Sequence, residues 1–164
     1  AIELKRKLAE ENGYVELNQF NNPLNIECHY KTTFQEIISE LPKISAFVAG
    51  TGTGGTLMGI QKGVEEYNLN TVMSGGEQGL HGIQGIGDGS KFLVDLEKVD
   101  EVITISTEEA KERSLRLARE HGLFVGISAG ANVLAAERLI EKHNPWYPVV
   151  TILCDRGERY FSVL

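Results

Sequence analysis

The sequence predicts an α/β fold built on a mainly parallel sheet, and three observations carry the prediction. Short apolar runs at 44–49, 102–105, 123–127 and 149–153 alternate with stretches of helical spacing, the pattern of βαβ units. The runs are mostly apolar, as expected of strands covered on both faces. Glycine is unusually frequent, 18 of 164 residues, and it gathers in short loops. In sheets of this kind, ligands sit at the carboxyl ends of the strands.

Taken in order, residues 2–12 place Ile2, Leu4, Leu8 and Ala9 among charges, a helix stopped by Asn12-Gly13. Residues 14–17 read as a short strand and 18–23, Asn-Gln-Phe-Asn-Asn-Pro, as a polar turn. Thr33 followed by Glu36 is a capping box that opens a helix ended by Pro42. The 44–49 run is a buried strand ending in Gly50. A glycine–threonine loop, 50–56, leads into a helix on which Leu57, Ile60 and Val64 share a face. Residues 73–91 hold seven glycines without periodicity and read as a long loop, a length uncommon unless functional. A second strand, 102–105, precedes a helix capped by Ser106 with Glu109 and running to His121-Gly122. A strand at 123–127, an alanine-rich helix at 130–142 and a last strand at 149–153 follow. Carboxyl-end loops therefore fall at 50–56, 126–130 and 154–160.

Composition narrows the function. With 41% hydrophobic and 24% charged residues, the chain is not of the disordered or collagen-like kind. A formal net charge of −7 argues against general nucleic-acid binding, which needs a basic face. No apolar run approaches the ~20 residues that span a bilayer. The charged, amphipathic start does not resemble a signal peptide. Cys28 and Cys154 are too few and too far apart for a disulfide framework, so a reducing cytoplasm is the expected compartment. The histidines, at 29, 81, 121 and 143, are too scattered to suggest a metal site.

The 50–56 loop, Gly-Thr-Gly-Thr-Gly-Gly-Thr, points to a phosphate. Its glycines let the backbone approach a ligand with N–H groups inward, and the following helix adds its positive end. Thr53 and Thr56 supply hydroxyl donors. The bland alternative is a tight strand-to-helix turn with no ligand. The loop also fits G-x-G-x-x-G through Gly50, Gly52 and Gly55, but no ribose-binding acid follows at 68–72. It lacks the Gly-Lys-Ser/Thr ending of a nucleoside-triphosphate loop.

Gly126-Ile-Ser128-Ala-Gly130 fits the nucleophile elbow of α/β-hydrolases, which needs an acid and then a histidine later in the chain. Here His143 precedes Asp155 and no histidine follows it, so Ser128 lacks its base. Ser128 is read instead as a hydroxyl that bonds a heterocyclic nitrogen, or as a helix N-cap.

Six segments in order then resemble the cysteine synthase (O-acetylserine sulfhydrylase) and cystathionine β-synthase family: Asn18-Gln-Phe-Asn-Asn-Pro23, His29-Tyr-Lys-Thr-Thr33, the 50–56 loop, His81-Gly-Ile-Gln-Gly-Ile-Gly87, Gly126-Ile-Ser-Ala-Gly-Ala131 and Gly157-Glu-Arg-Tyr160. The resemblance implies a fold type II pyridoxal 5'-phosphate enzyme, a three-layer sandwich like the tryptophan synthase β subunit, here incomplete. It implies that Gly52, Thr53, Gly54, Gly55 and Thr56 cradle the cofactor phosphate. Ser128 would face the pyridine nitrogen, with Asp155 near that end of the site. Gln19 would lie near the carboxylate of a small amino-acid substrate, and Gly85 in a loop that lines the cleft. A neutral serine at the pyridine nitrogen suits β-elimination and β-replacement. The implied reaction is O-acetylserine plus sulfide to cysteine plus acetate, with cystathionine-type replacement as the alternative. A homodimer and a serine acetyltransferase C-terminus as partner are carried over with it.

The sequence also departs from that family. The Schiff-base lysine of its Ser-x-Lys-x-Arg segment and the Thr-Ser-Gly-Asn loop are absent, so the 164 residues read as the C-terminal portion of a longer enzyme, inactive alone. Residues 1–42 would be a remnant of the small N-terminal domain and 43–164 the large, phosphate-binding domain. A sheet strand is expected to be missing near 68–72. Cys154 stands where the family has proline or a small residue, and reads as a buried small hydrophobe. Two rival readings keep the same fold: a dinucleotide-binding module and a non-catalytic binding protein.

Overall fold

Residues Ala46–Val48 form β1, buried at every position and central in the sheet. The structure, a computed structural model, describes residues 2–67, 72–74, 82–87 and 92–163. β2 (Val72–Ser74) and β3 (Val149–Thr151) flank β1, and both run parallel to it. Ala46 is level with Val72 on one side and Val149 on the other.

Successive side chains on a strand face opposite ways, so β1 divides the core. Ala46 and Val48 pack with Ala131, Ala135 and Leu139 of α6 (Ile127–His143) and Ala110 of α5 (Thr107–His121). Phe47 packs with Phe34 and with Leu57, Ile60 and Val64 of α4 (Gly55–Glu66). Helices cover both faces, and the result is the expected α/β sandwich of three layers.

The N-terminal part begins with α1 (Ile2–Asn12), ended at Gly13 with φ +68. The expected strand at 14–17 is not formed. Val15 is 88% and Leu17 79% exposed, with no neighbouring strand to pair with among the described residues. The capping-box start at Thr33 is also corrected. Helix is continuous from α2 (Leu24–His29) through a π-helical turn, Tyr30–Phe34, into α3 (Gln35–Glu40). Thr33 lies inside it, and its hydroxyl meets the His29 ring rather than a helix start.

Expectations for three strand or loop segments change, and one more lies mostly outside the described residues. Met73 belongs to β2, not to a long loop. The expected loss of a strand near 68–72 falls partly outside the described residues, and Val72 is paired in β2. The 102–105 run joins no ladder among the described residues: Arg138 takes the Thr104 carbonyl, while Ile105 is buried in the core. The 123–127 run is reduced to one antiparallel bridge, Val125 to Arg156, because the chain turns at once into α6. By contrast, the Ser106–Glu109 capping box closes in both directions, and Gly122 ends α5 at φ +70.

Candidate functional site

The loop between β1 and α4 owes its shape to a few close contacts. Gly54 caps α4 with φ +91, a left-handed conformation that favours glycine. A side chain at Gly52 would place its Cβ 2.6 Å from the Gly85 carbonyl oxygen. The amides of Gly87 and Leu93 donate to the carbonyls of Thr51 and Thr53, at 2.8 and 3.0 Å. In a trans peptide the next N–H points opposite its carbonyl, so the Gly52 and Gly54 amides are turned away from those clamping segments. The Gly55 amide turns onto Thr53 Oγ at 3.3 Å, and the Thr56 and Leu57 amides that follow have no helical acceptor one turn back. The loop therefore concentrates donors and the positive end of a helix on one spot.

That spot is the floor of a cleft of about 460 Å³, walled by the 50–57 backbone, Gln19, Phe20, Gly85–Gly87, Phe92 and Cys154. Phe20 and Phe92 meet at 4.7 Å between ring centroids. Gln19 sits on a turn whose reversal is made by Asn18 at φ 47. Gly85, at φ +90, lines the opposite lip.

The expected site residues thus divide into two groups. Gln19, Gly52, Thr53, Gly54, Gly55, Thr56 and Gly85 all line the cleft. Ser128 and Asp155 lie behind its wall. Ser128 is 4% exposed in the first turn of α6, whose cap is Gly126, so it is not the N-cap. Its hydroxyl bonds the Cys154 thiol. Asp155 accepts a hydrogen bond from the Tyr160 hydroxyl at 2.6 Å, and its Oδ1 is buried without a hydrogen-bond partner. Burial and that carboxylate push the Tyr160 phenol up to about 12, so it stays a donor.

Cys154 is not the buried filler the sequence suggested. It is exposed and lines the cleft, while its sulfur accepts from Asn132 Nδ2 at 3.5 Å. Burial of the sulfur raises its pKa, against the lowering effect of Ser128 and Asn132. The thiol form is therefore favoured.

Three supporting residues were missed by sequence reasoning. Asn132 accepts from the Gly50 amide at 2.7 Å and donates to the Ile152 carbonyl at 2.8 Å, tying the loop to the chain end of β3. Asn25 donates to Thr53 Oγ at 3.0 Å, and His29 Nε2 lies 3.1 Å from Thr56 Oγ. Burial lowers the His29 pKa, so the ring is neutral at neutral pH. The available signal was the repeat Gly55, Gly59, Gly63, one turn apart on α4. Side chains there would strike Asn25, His29 and Phe34, so the repeat lets the α2 helix lie close against α4.

Among the described residues there is no cluster of metal-binding side chains, and no helix is long and apolar enough to cross a membrane. The donors fit a phosphate monoester: backbone amides, two threonine hydroxyls and a cradle that side chains at Gly52 or Gly55 would fill. Among the described residues, the cleft wall carries no lysine.

Comparison with known proteins agrees with this chemistry. The chain is 39% identical to a cysteine synthase from Staphylococcus aureus over 178 residues, 99% of this chain and 57% of that protein. The crystal structure of O-ureido-L-serine synthase matches at a TM-score of 0.90 and 33% identity, covering 99% of this chain and 56% of that one. An O-acetylserine dependent cystathionine beta-synthase from Helicobacter pylori matches at 0.89 and 34%, covering 99% and 57%. This chain thus spans little more than half the length of the relatives it matches. The model of the family described as pyridoxal-phosphate dependent enzyme matches residues 1–155, and the chain belongs to that family.

Proposed function

We propose that this chain is the cofactor-phosphate portion of an enzyme that replaces the β-substituent of an amino acid, making cysteine and acetate from O-acetylserine and sulfide. The observation that carries this is the 50–56 loop, with its amides and hydroxyls converging on an anion site beside a cleft. When bound, pyridoxal phosphate supplies the electron sink for chemistry at the amino acid's β-carbon. The amides of Gly52 and Gly54 and the hydroxyls of Thr53 and Thr56 hold its phosphate. Gln19, on the opposite wall, binds the substrate carboxylate, and the Gly85 segment closes the lip. Ser128, neutral and held in the first turn of α6 behind Cys154, reaches the pyridine nitrogen when its hydroxyl turns from that thiol into the cleft, with Asp155 and Tyr160 bracing that end. Cystathionine-type replacement is the second reading, favoured by the likeness to the Helicobacter pylori protein.

The lysine amine comes from polypeptide beyond these 164 residues, packed on the exposed apolar surface of Tyr14, Val15 and Leu17 beside Gln19. Residues 1–42 then belong with that small domain and 43–164 form the large one. The match to the Staphylococcus aureus protein runs over 178 residues, more than the 164 of the chain, so that relative carries residues within the matched stretch that this chain lacks. The complete enzyme works as a cytoplasmic homodimer, with the serine acetyltransferase tail as a candidate partner.

Titration with pyridoxal phosphate tests the proposal. The chain is expected to bind it, in competition with inorganic phosphate, and to form no cysteine by itself. Gly52→Ala is expected to weaken binding about tenfold or more by pushing the loop off the Gly85 carbonyl. An unchanged affinity in Gly52→Ala, or preference for a dinucleotide, would overturn it.

A further inference from the structure

We propose that Asn25 is a positioning residue of this site, holding the Thr53 hydroxyl as a dedicated donor toward a dianionic phosphate. The inference rests on reading the 50–56 loop as the cofactor's phosphate seat.

A threonine hydroxyl has one hydrogen to give and two lone pairs to receive with. At Thr53 both lone pairs are engaged: Asn25 Nδ2 donates to Oγ at 3.0 Å and the Gly55 amide at 3.3 Å. The single O–H hydrogen must then find an acceptor elsewhere, and Thr53 lines the cleft. A phosphate dianion offers only acceptors, and a donor to a charged oxygen is the stronger kind of hydrogen bond.

The orientation of the Asn25 amide is determined by its other partner. Nδ2 also lies 3.0 Å from the Gln19 carbonyl oxygen, which can only accept. The nitrogen must face it, because a flipped amide would set two acceptors together. The Asn25 backbone is held in turn, its amide donating to the Asn22 carbonyl at 3.0 Å, and its side chain lies where a Gly55 Cβ would stand. One side-chain NH₂ group thus joins the Thr53 hydroxyl to the turn carrying Gln19. The phosphate floor and the expected carboxylate wall share a strut.

Calorimetric titration of the 164-residue chain with pyridoxal phosphate and with pyridoxal, which lacks the phosphate, tests this in Asn25→Ala, Thr53→Val and the double variant. Asn25→Ala is expected to weaken pyridoxal phosphate about tenfold and pyridoxal less than twofold. In the Thr53→Val background the same change should add nothing, because the hydroxyl it orients is gone. Asn25→Leu, near-isosteric, uncharged and without donors, should show the same selective loss and covers the case of poor folding in Asn25→Ala. Equal losses for both ligands, or losses that multiply in the double variant, would mean that Asn25 only holds the fold. A parent chain binding pyridoxal phosphate no better than pyridoxal would instead overturn the phosphate seat itself, and the strut with it.

Discussion

Both ring nitrogens of His29 lie 3.0–3.1 Å from threonine hydroxyls, those of Thr33 and Thr56. Burial lowers its pKa below the ordinary 6.5, so the folded chain takes up this proton less readily than the unfolded chain. The stability it contributes is fully present above pH 6.5 and is lost as the pH falls toward the lowered value. Thermal melts between pH 7.5 and 5.5, about one unit either side of the ordinary 6.5, should show a steeper fall for the parent than for His29→Gln. Equal slopes would remove His29 from this role. The sequence marked the loop residues themselves, because four glycines and the threonines lie together in it. It did not mark Asn25, marked His29 only within a motif with no role at the phosphate loop, and did not mark Asn132. Their partners are 28, 27 and 82 residues away, and no local pattern encodes such a pair.

The elements written in local chemistry were legible. Ser106 and Glu109 predict the start of α5, and their side chains each bond the other's backbone amide. That backbone bond, with Ser106 Oγ and Arg138, lowers the Glu109 pKa to about 2. The stabilisation is present above pH 4.5 and is lost as the pH falls through about 2. Ser106→Ala should cost about 1 kcal/mol in denaturant unfolding. A variant as stable as the parent would show that packing of α5 on α6 alone holds this end. Strands were less legible, because an apolar run states burial and not pairing. The 102–105 run is buried at Ile105 yet pairs with no described strand, while Met73 and Ser74 lie in a strand although sequence reasoning gave them to a loop.

At the scale of the molecule, a sheet with helices on both faces brings together loops far apart in sequence. Gly50, Ile152 and Cys154 meet through Asn132, and the Phe124 carbonyl and Gly126 amide clamp the Asp155–Gly157 turn. This convergence at the strand ends was legible from the βαβ pattern. Its finer layering was not: Cys154 takes the wall, and Ser128 stands behind it. The most direct measurement is a crystal structure of the chain grown with pyridoxal phosphate. The account predicts the phosphate on the amides of Gly52 and Gly54 and the hydroxyls of Thr53 and Thr56, with the ring toward Ser128. Phosphate density anywhere else, or a ring turned away from the Ser128–Cys154 wall, would contradict it.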